Sequence, residues 1–265
     1  MQKINVYDFN DNIRVYYTGR RVTLPDDYIC LVEKHWESLL QSGKKFFRGE
    51  SFTITDIENC GGYINIFVEL TDYAHFLYTM HKEVHTPYDC RVIYTSVLVE
   101  TSDGEFVLGE MNRDTAFPQK LQLTGGGIDK DDIDGSIIDL KHNIKKEIYE
   151  ELGIDTDNKD LVKEFKPYLL KSGGSMNFLS AIYKLDLLIN QNELLDRFNK
   201  YIHELTFKGE NSEFKNLMFI KADRESVEEF IKIDSRQRDE NLVPTLEAAL
   251  GIYKVRNISD FDNRF

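Results

Sequence analysis

Lys146-Glu147-Ile148-Tyr149-Glu150-Glu151-Leu152-Gly153-Ile154 places three carboxylates at i, i+3 and i+4, the spacing that gathers side chains on one side of an α-helix. At about 100° per residue, Glu150 and Glu151 both fall on the side of Glu147. Three anions packed so closely repel one another, and a helix gains nothing from them alone. A divalent cation reverses the sign of that interaction, and an all-oxygen donor set suits Mg²⁺ or Mn²⁺ rather than zinc. Ile137, Leu140, Ile144, Ile148 and Leu152 form an apolar stripe at helical spacing, with Glu147 and Glu151 on its border. Such a helix buries one edge and holds its carboxylates at the rim of a cleft. Gly153 stands where a left-handed C-terminal cap is expected.

Upstream, residues 121–124 read as a short strand that leads into Gly125-Gly126-Gly127. The missing Cβ atoms let backbone N–H groups approach an anion closely. Strand, glycine loop and carboxylate helix together make a candidate diphosphate-plus-metal site. Glu147, Glu150 and Glu151 are its candidate catalytic and metal-holding residues, with Mg²⁺ or Mn²⁺ as the expected cofactor. Gly125, Gly126, Gly127, Arg113 and Lys146 are the candidate substrate-binding residues. Arg113 is included because a guanidinium grips phosphate oxygens bidentately and this one follows a strand just before the glycine loop.

These residues resemble the Nudix hydrolase box, G-x5-E-x7-R-E-U-x-E-E-x-G-U with U aliphatic, and Glu147, Ile148, Glu150, Glu151, Gly153 and Ile154 match its second half. The first half departs from the pattern. Lys146 stands where the box has Arg, keeping the charge and losing the planar fork. Gly127 and Lys146 are nineteen positions apart instead of fourteen, and the extra length is the acidic run 128–135. No Glu fills the early position, which the resemblance makes mostly structural; Asp139 is the nearest substitute.

The resemblance implies an α+β fold, the Nudix α/β/α sandwich with a mixed β-sheet. It also implies a metal-dependent hydrolase that cleaves a nucleoside diphosphate linked to another moiety, a small-molecule substrate. Some members of the family draw a further base from a late loop, for which Glu204 and Glu210 are the candidates. The altered first half leaves a second reading open, a Nudix-like module that binds nucleotide without cleaving it. A narrower similarity of order, carried by His35-Trp36-Glu37, Leu70-Thr71-Asp72-Tyr73 and the insertion in the box, is to the animal members that cleave UDP-glucose and UDP-galactose. It implies a nucleotide sugar such as a UDP-sugar. The four aspartates at 129, 131, 132 and 134 point the same way, because they would repel a longer polyphosphate and can accept hydrogen bonds from sugar hydroxyls.

Other loops fail on spacing. With Gly135 at position 6 of an EF-hand, Lys130 and Lys141 fall at positions 1 and 12, where acids are needed. Neither a Gly-Lys-Ser/Thr P-loop nor a G-x-G-x-x-G turn occurs at the triplet. The balance of 33 basic against 46 acidic residues, a formal charge of −13 over 265 residues, argues against a nucleic-acid polymer as partner. Cys30, Cys60 and Cys90 lack paired spacing, so free thiols in a reducing cytoplasm are expected. No apolar run approaches membrane-spanning length, and no membrane partner is expected.

Along the chain, residues 4–9 and 13–18 read as strands, and a helix opening at Pro25 carries Ile29, Val32, Trp36 and Leu40. Residues 52–57 and 63–70 form a hairpin, and Thr71 caps a helix that runs to Met80. The stretch 81–89 is the expected boundary between a smaller α+β N-terminal domain, 1–88, and a Nudix domain, 89–265. Beyond it, 91–100 with 105–111 and 161–171 with 176–187 read as hairpins. Residues 191–205 are helical, 216–221 form a strand, Asp223 caps a helix, and Pro244 opens the last one.

Overall fold

A computed structural model describes residues 2–43, 46–113 and 118–262. Its elements in chain order are β1 (Gln2–Asp8), β2 (Ile13–Arg21), α1 (Asp26–Gln41), β3 (Glu50–Asn59), β4 (Ile64–Asp72) and α2 (Tyr73–His81). There follow β5 (Ile93–Glu100), β6 (Glu105–Met111), β7 (Leu121–Gln122), a 3-10 turn at Lys130–Asp132, β8 (Ile133–Asp134), β9 (Ile137–Ile138) and α3 (Leu140–Leu152). The last are β10 (Val162–Gly174), β11 (Leu179–Leu187), α4 (Gln191–Lys208), β12 (Phe214–Lys221), α5 (Arg224–Ile233), α6 (Leu242–Ala249) and β13 (Val255–Arg256).

The larger sheet runs β12-β6-β5-β11-β10-β1-β13, with β7 added beside β6, and it is mixed: β5 lies parallel to β11, and β1 to β13. Period-two alternation sorts its side chains into two layers. Val97 and Val99 of β5 join Ile144, Ile148 and Leu152 of α3 and Leu194 and Phe198 of α4 in one core. Leu98 points the other way, into a second core with Val227 and Phe230 of α5 and Leu242 and Leu246 of α6. Helices thus cover both faces of the sheet, the expected α+β sandwich.

The smaller sheet, β3-β4-β2-β9-β8, packs into the first core through Ile54, Ile64 and Val68. Helices α1 and α2 form a third cluster around Tyr28, Val32, Trp36 and Leu77. Strand pairing does not follow the expected division into 1–88 and 89–265. β1 pairs with β10 in the large sheet, and β9, inside the box insertion, pairs with β2 in the small one. The reason is local. After β1 the chain turns through Asp11, held at φ 54°, and enters β2 as a strand of the other sheet rather than the return arm of a hairpin.

Two helix starts also differ from expectation. Ile137 lies in β9, exposed, and α3 begins at Leu140, where Asp139 caps it by accepting from the N–H groups of Lys141 and His142. Asp72, not Thr71, caps α2. Thr71 Oγ1 instead meets His75 Nδ1 at 2.8 Å, while His75 Nε2 lies 2.8 Å from the Tyr88 carbonyl oxygen. The carbonyl makes Nε2 the donor, and in the neutral ring Nδ1 then accepts from the Thr71 hydroxyl.

Burial holds the pKa of His75 below the usual histidine value. The folded ring therefore resists a proton that the unfolded chain accepts. Stability from this site is present above the unfolded histidine pKa and is lost as pH falls through it. Unfolding titrations across that range should show a slope that His75→Gln removes. An unchanged slope would mean that another group carries it.

Candidate active site

Helix α3 presents its carboxylates to the glycine loop because Ile144, Ile148 and Leu152 lock its opposite edge into the core. Gly153, at φ 67°, closes the helix in the left-handed conformation expected of it. Glu151 points inward and is 1% exposed. Its Oε2 accepts from the Gly125 N–H at 3.0 Å, and its Oε1 is buried without a hydrogen-bond partner among the described residues. Burial, and then Glu213 and Glu147, raise its pKa well above the ordinary carboxylate range. Glu147 is pushed up to about 8, first by burial and then by Glu150. Glu150 lies on the exposed side of the helix.

Glu213 belongs to this group, and the sequence reading missed it in favour of Glu204 and Glu210. Strand β12 pairs with β6, Phe214 sits opposite Met111, and the Asn112 N–H donates to the Glu213 carbonyl at 2.7 Å. That register brings Glu213 to the carboxylates of α3, and its own pKa is raised by desolvation and by Glu150. Glu204 and Glu210, on α4 and just after it, are exposed, as Glu213 is, but of the three only Glu213 is close enough to raise the pKa values of Glu147 and Glu151. The only signal in the sequence was the position of Glu213 directly before an apolar strand.

The glycine loop meets the helix closely. Gly125 has φ 147°, and a Cβ there would lie 2.1 Å from the Thr95 carbonyl oxygen. A Cβ on Gly126 would lie 2.5 Å from the Glu147 carboxylate. Because that neighbour is the end of a flexible side chain, Gly126→Ala should move the carboxylate and keep the fold. Displacing a catalytic group by about 1 Å costs up to about 10²-fold in rate. Turnover should therefore fall by that order while the unfolding midpoint barely moves. Equal losses of stability and activity would show instead that the loop itself had shifted.

Lys146 and Arg113 are not brought into contact with the loop. Lys146 Nζ donates to Asp129 Oδ2 at 2.6 Å and to Asp132 Oδ1 at 3.4 Å. Asp132, 1% exposed, also accepts from the Asn143 side chain and the Asp129 N–H. The insertion thus supplies the partner for Lys146 that Asp139, occupied as a helix cap, does not. Two of the four aspartates expected to face substrate are tied to Lys146, and the repulsion argued for them is reduced accordingly. Arg113 is exposed after β6, outside the lining of the cleft, and the residues that follow it lie outside the described part of the chain.

On the other side of the loop, Gly125, Gly126 and Gly127 line a cleft of about 400 Å³ that reaches the small sheet and α2. Glu147, Glu150 and Glu151 are not part of its lining, so cleft and carboxylates meet across the glycines. Among the described residues, no three His, Cys, Asp or Glu side chains are gathered tightly enough to clasp a cation as they stand. Helix geometry accounts for this departure from the expected triad: successive residues diverge by about 100°, so Glu151 turns in to Gly125 while Glu150 stays outside. The donor chemistry nevertheless suits a hard dication. All the donors are carboxylate oxygens, one of them is orphaned, and their raised pKa values express a repulsion that positive charge relieves. The cysteines are unpaired, and among the described residues no helix is long and apolar enough to cross a membrane.

No protein-family model matches this chain, and no curated protein does. Several solved structures are similar to it. A NUDIX hydrolase from Nitrosomonas europaea is 14% identical over 65% of this chain and 96% of its own, with a TM-score of 0.36. A MutT protein from Methanosarcina mazei Go1 is 15% identical over 60% of this chain and 92% of its own, with a TM-score of 0.35. A bifunctional NMN adenylyltransferase/ADP ribose pyrophosphatase from Francisella tularensis, solved with AMP and a manganese ion, is 14% identical. It aligns with 62% of this chain and 42% of its own, with a TM-score of 0.37.

Proposed function

We propose that the chain is a divalent-metal-dependent pyrophosphohydrolase of the Nudix type, acting on a nucleoside diphosphate linked to another moiety, with a nucleotide sugar such as a UDP-sugar as the substrate class. The observation that carries this reading is Glu151, fully buried beside a glycine loop, with one oxygen on the Gly125 N–H and the other unpartnered. A carboxylate kept in that state among Glu147, Glu150 and Glu213 adds nothing to a purely structural helix. Glu147, Glu150 and Glu151 would hold Mg²⁺ or Mn²⁺. When bound, the cation supplies charge neutralisation for the diphosphate.

The chain's own residues account for the rest. The glycine loop admits the diphosphate, since Gly127 meets no atom where a Cβ would stand. Water adds across one P–O–P bond, giving a nucleoside monophosphate and a phosphorylated remainder. The proton lost by the water passes to a carboxylate. Glu213, close enough to raise the pKa values of Glu147 and Glu151, would accept it.

Incubation with UDP-sugars, ADP-ribose, NADH and dinucleoside polyphosphates, each with Mg²⁺ and with Mn²⁺, tests the reading by phosphate release and product chromatography. Absence of turnover on every compound, in protein that binds the metal, would overturn it. A ligand that stabilises the chain in EDTA and stays intact would favour a binding module instead.

A further inference from the structure

Helix α3 meets the glycine loop once per turn. Asn143, Glu147 and Glu151 stand four residues apart on one side of the helix, and they face Gly127, Gly126 and Gly125 in that order. Two of these rungs are carboxylates that repel each other. The third is an uncharged amide. Asn143, 0% exposed, donates from Nδ2 to the Gly127 carbonyl at 3.0 Å and to Asp132 Oδ2 at 2.9 Å. Its Oδ1 accepts from the hydroxyl of Thr95 on β5, itself 0% exposed.

Every polar atom of the amide is used, and its orientation is thereby fixed. A flipped amide would set Oδ1 against two acceptors, the Gly127 carbonyl and the Asp132 carboxylate. Strand β5 holds the loop from the other side through its backbone. The Thr95 N–H donates to the Gly126 carbonyl at 3.0 Å, and the Val97 N–H to the Thr124 carbonyl at 2.8 Å. A buried amide stabilises a helix edge no better than an apolar side chain does, so packing alone gives no reason for one here.

We propose that Asn143 is a positioning residue that sets the register of the glycine loop along α3, with Thr95 and the inserted Asp132 orienting its amide. In that register Gly126 and Gly125 meet Glu147 and Glu151. Charge explains the choice of an amide. A carboxylate at 143 could donate to the Gly127 carbonyl only when protonated, and it would add another anion one turn from Glu147. The amide donates at any pH and needs no cation, so the loop keeps its place whether or not the carboxylates are neutralised. The acidic insertion gains a role by the same geometry, since Asp132 takes the second N–H of the amide. The consequence for turnover rests on the hydrolase reading: a loop slipped along α3 misplaces Glu147 and Glu151 against a diphosphate.

Amide hydrogen exchange, followed by NMR on the full-length chain in EDTA, tests the register without any substrate. In Asn143→Ala the Gly125 N–H, which donates to Glu151, should lose about tenfold more protection than the amides of β10 and β11, roughly what one or two hydrogen bonds contribute. A merely structural role would lower all of them alike. Thr95→Val keeps the shape and removes the hydroxyl, so it should act in the same direction, whereas Thr95→Ser should exchange as the unaltered protein does. That pair decides the question should Asn143→Ala fail to fold, as judged by circular dichroism. With Mg²⁺ and substrate, kcat of Asn143→Ala should fall by about tenfold or more at unchanged KM. Gly125 protection that falls only in step with the two strands, Thr95→Val indistinguishable from Thr95→Ser, or a raised KM at constant kcat would each overturn the positioning role. Selective loss of Gly125 protection in a protein that turns over nothing would overturn the hydrolase and leave the positioning; normal turnover and exchange in Asn143→Ala would do the reverse.

Discussion

Glu151→Gln is expected to lower turnover by on the order of 10²-fold or more, the range for a lost metal ligand or general base, without destabilising the protein. The amide has the shape of the carboxyl, and its oxygen can still accept from the Gly125 N–H. What it removes is charge. Glu151 is buried and opposed by Glu213 and Glu147, which is why its pKa is raised. Taking away that ionisable group relieves the repulsion, so the unfolding midpoint should hold or rise while activity collapses. Steady-state rates and thermal melts on the same preparation decide the matter. Retention of near-normal turnover would remove Glu151 from the chemistry.

Gly125→Ala should be the most damaging change in the loop, and for a different reason. At φ 147° an L-residue is strained, a cost of about 1–3 kcal/mol before any clash. The added methyl would also stand 2.1 Å from the Thr95 carbonyl, a backbone atom that cannot swing aside. The loop must move, and the Gly125 N–H leaves Glu151 as it does. Both stability and turnover should fall together. Gly127→Ala is the control, because nothing lies within 4 Å of its Cβ position and its φ is ordinary. A Gly125→Ala protein as stable as Gly127→Ala would refute the argument.

Much of the architecture could be read from periodicity because its helices and hairpins are local. Glu147, Glu150, Gly153 and the apolar stripe of α3 sit within four turns of one another, and spacing alone places them. What depended on distant pairing was hidden. Glu213 reaches the site through the register of β12 on β6, and nothing near residue 213 encodes that partner. Lys146 looked free to meet phosphate, but the acidic insertion, expected to face substrate, folds back and presents Asp129 and Asp132 to it. Asp139 illustrates the same limit from the other side. It was the nearest substitute for the missing early Glu of the box, and the unsatisfied N–H groups at the start of α3 took it as a cap instead.

The exchange of strands between the sheets has a consequence for how this architecture can be inherited and dismantled. β1 is lodged in the large sheet and β9 in the small one, so each half carries a piece of the other's hydrogen-bonded ladder. A fragment ending near residue 88 would leave with one strand bare and one neighbour missing. The halves cannot be traded as cassettes. They share a hydrogen-bonded seam, so the part that reaches the cleft through α2 and the part that bears the carboxylates are expected to unfold in one transition.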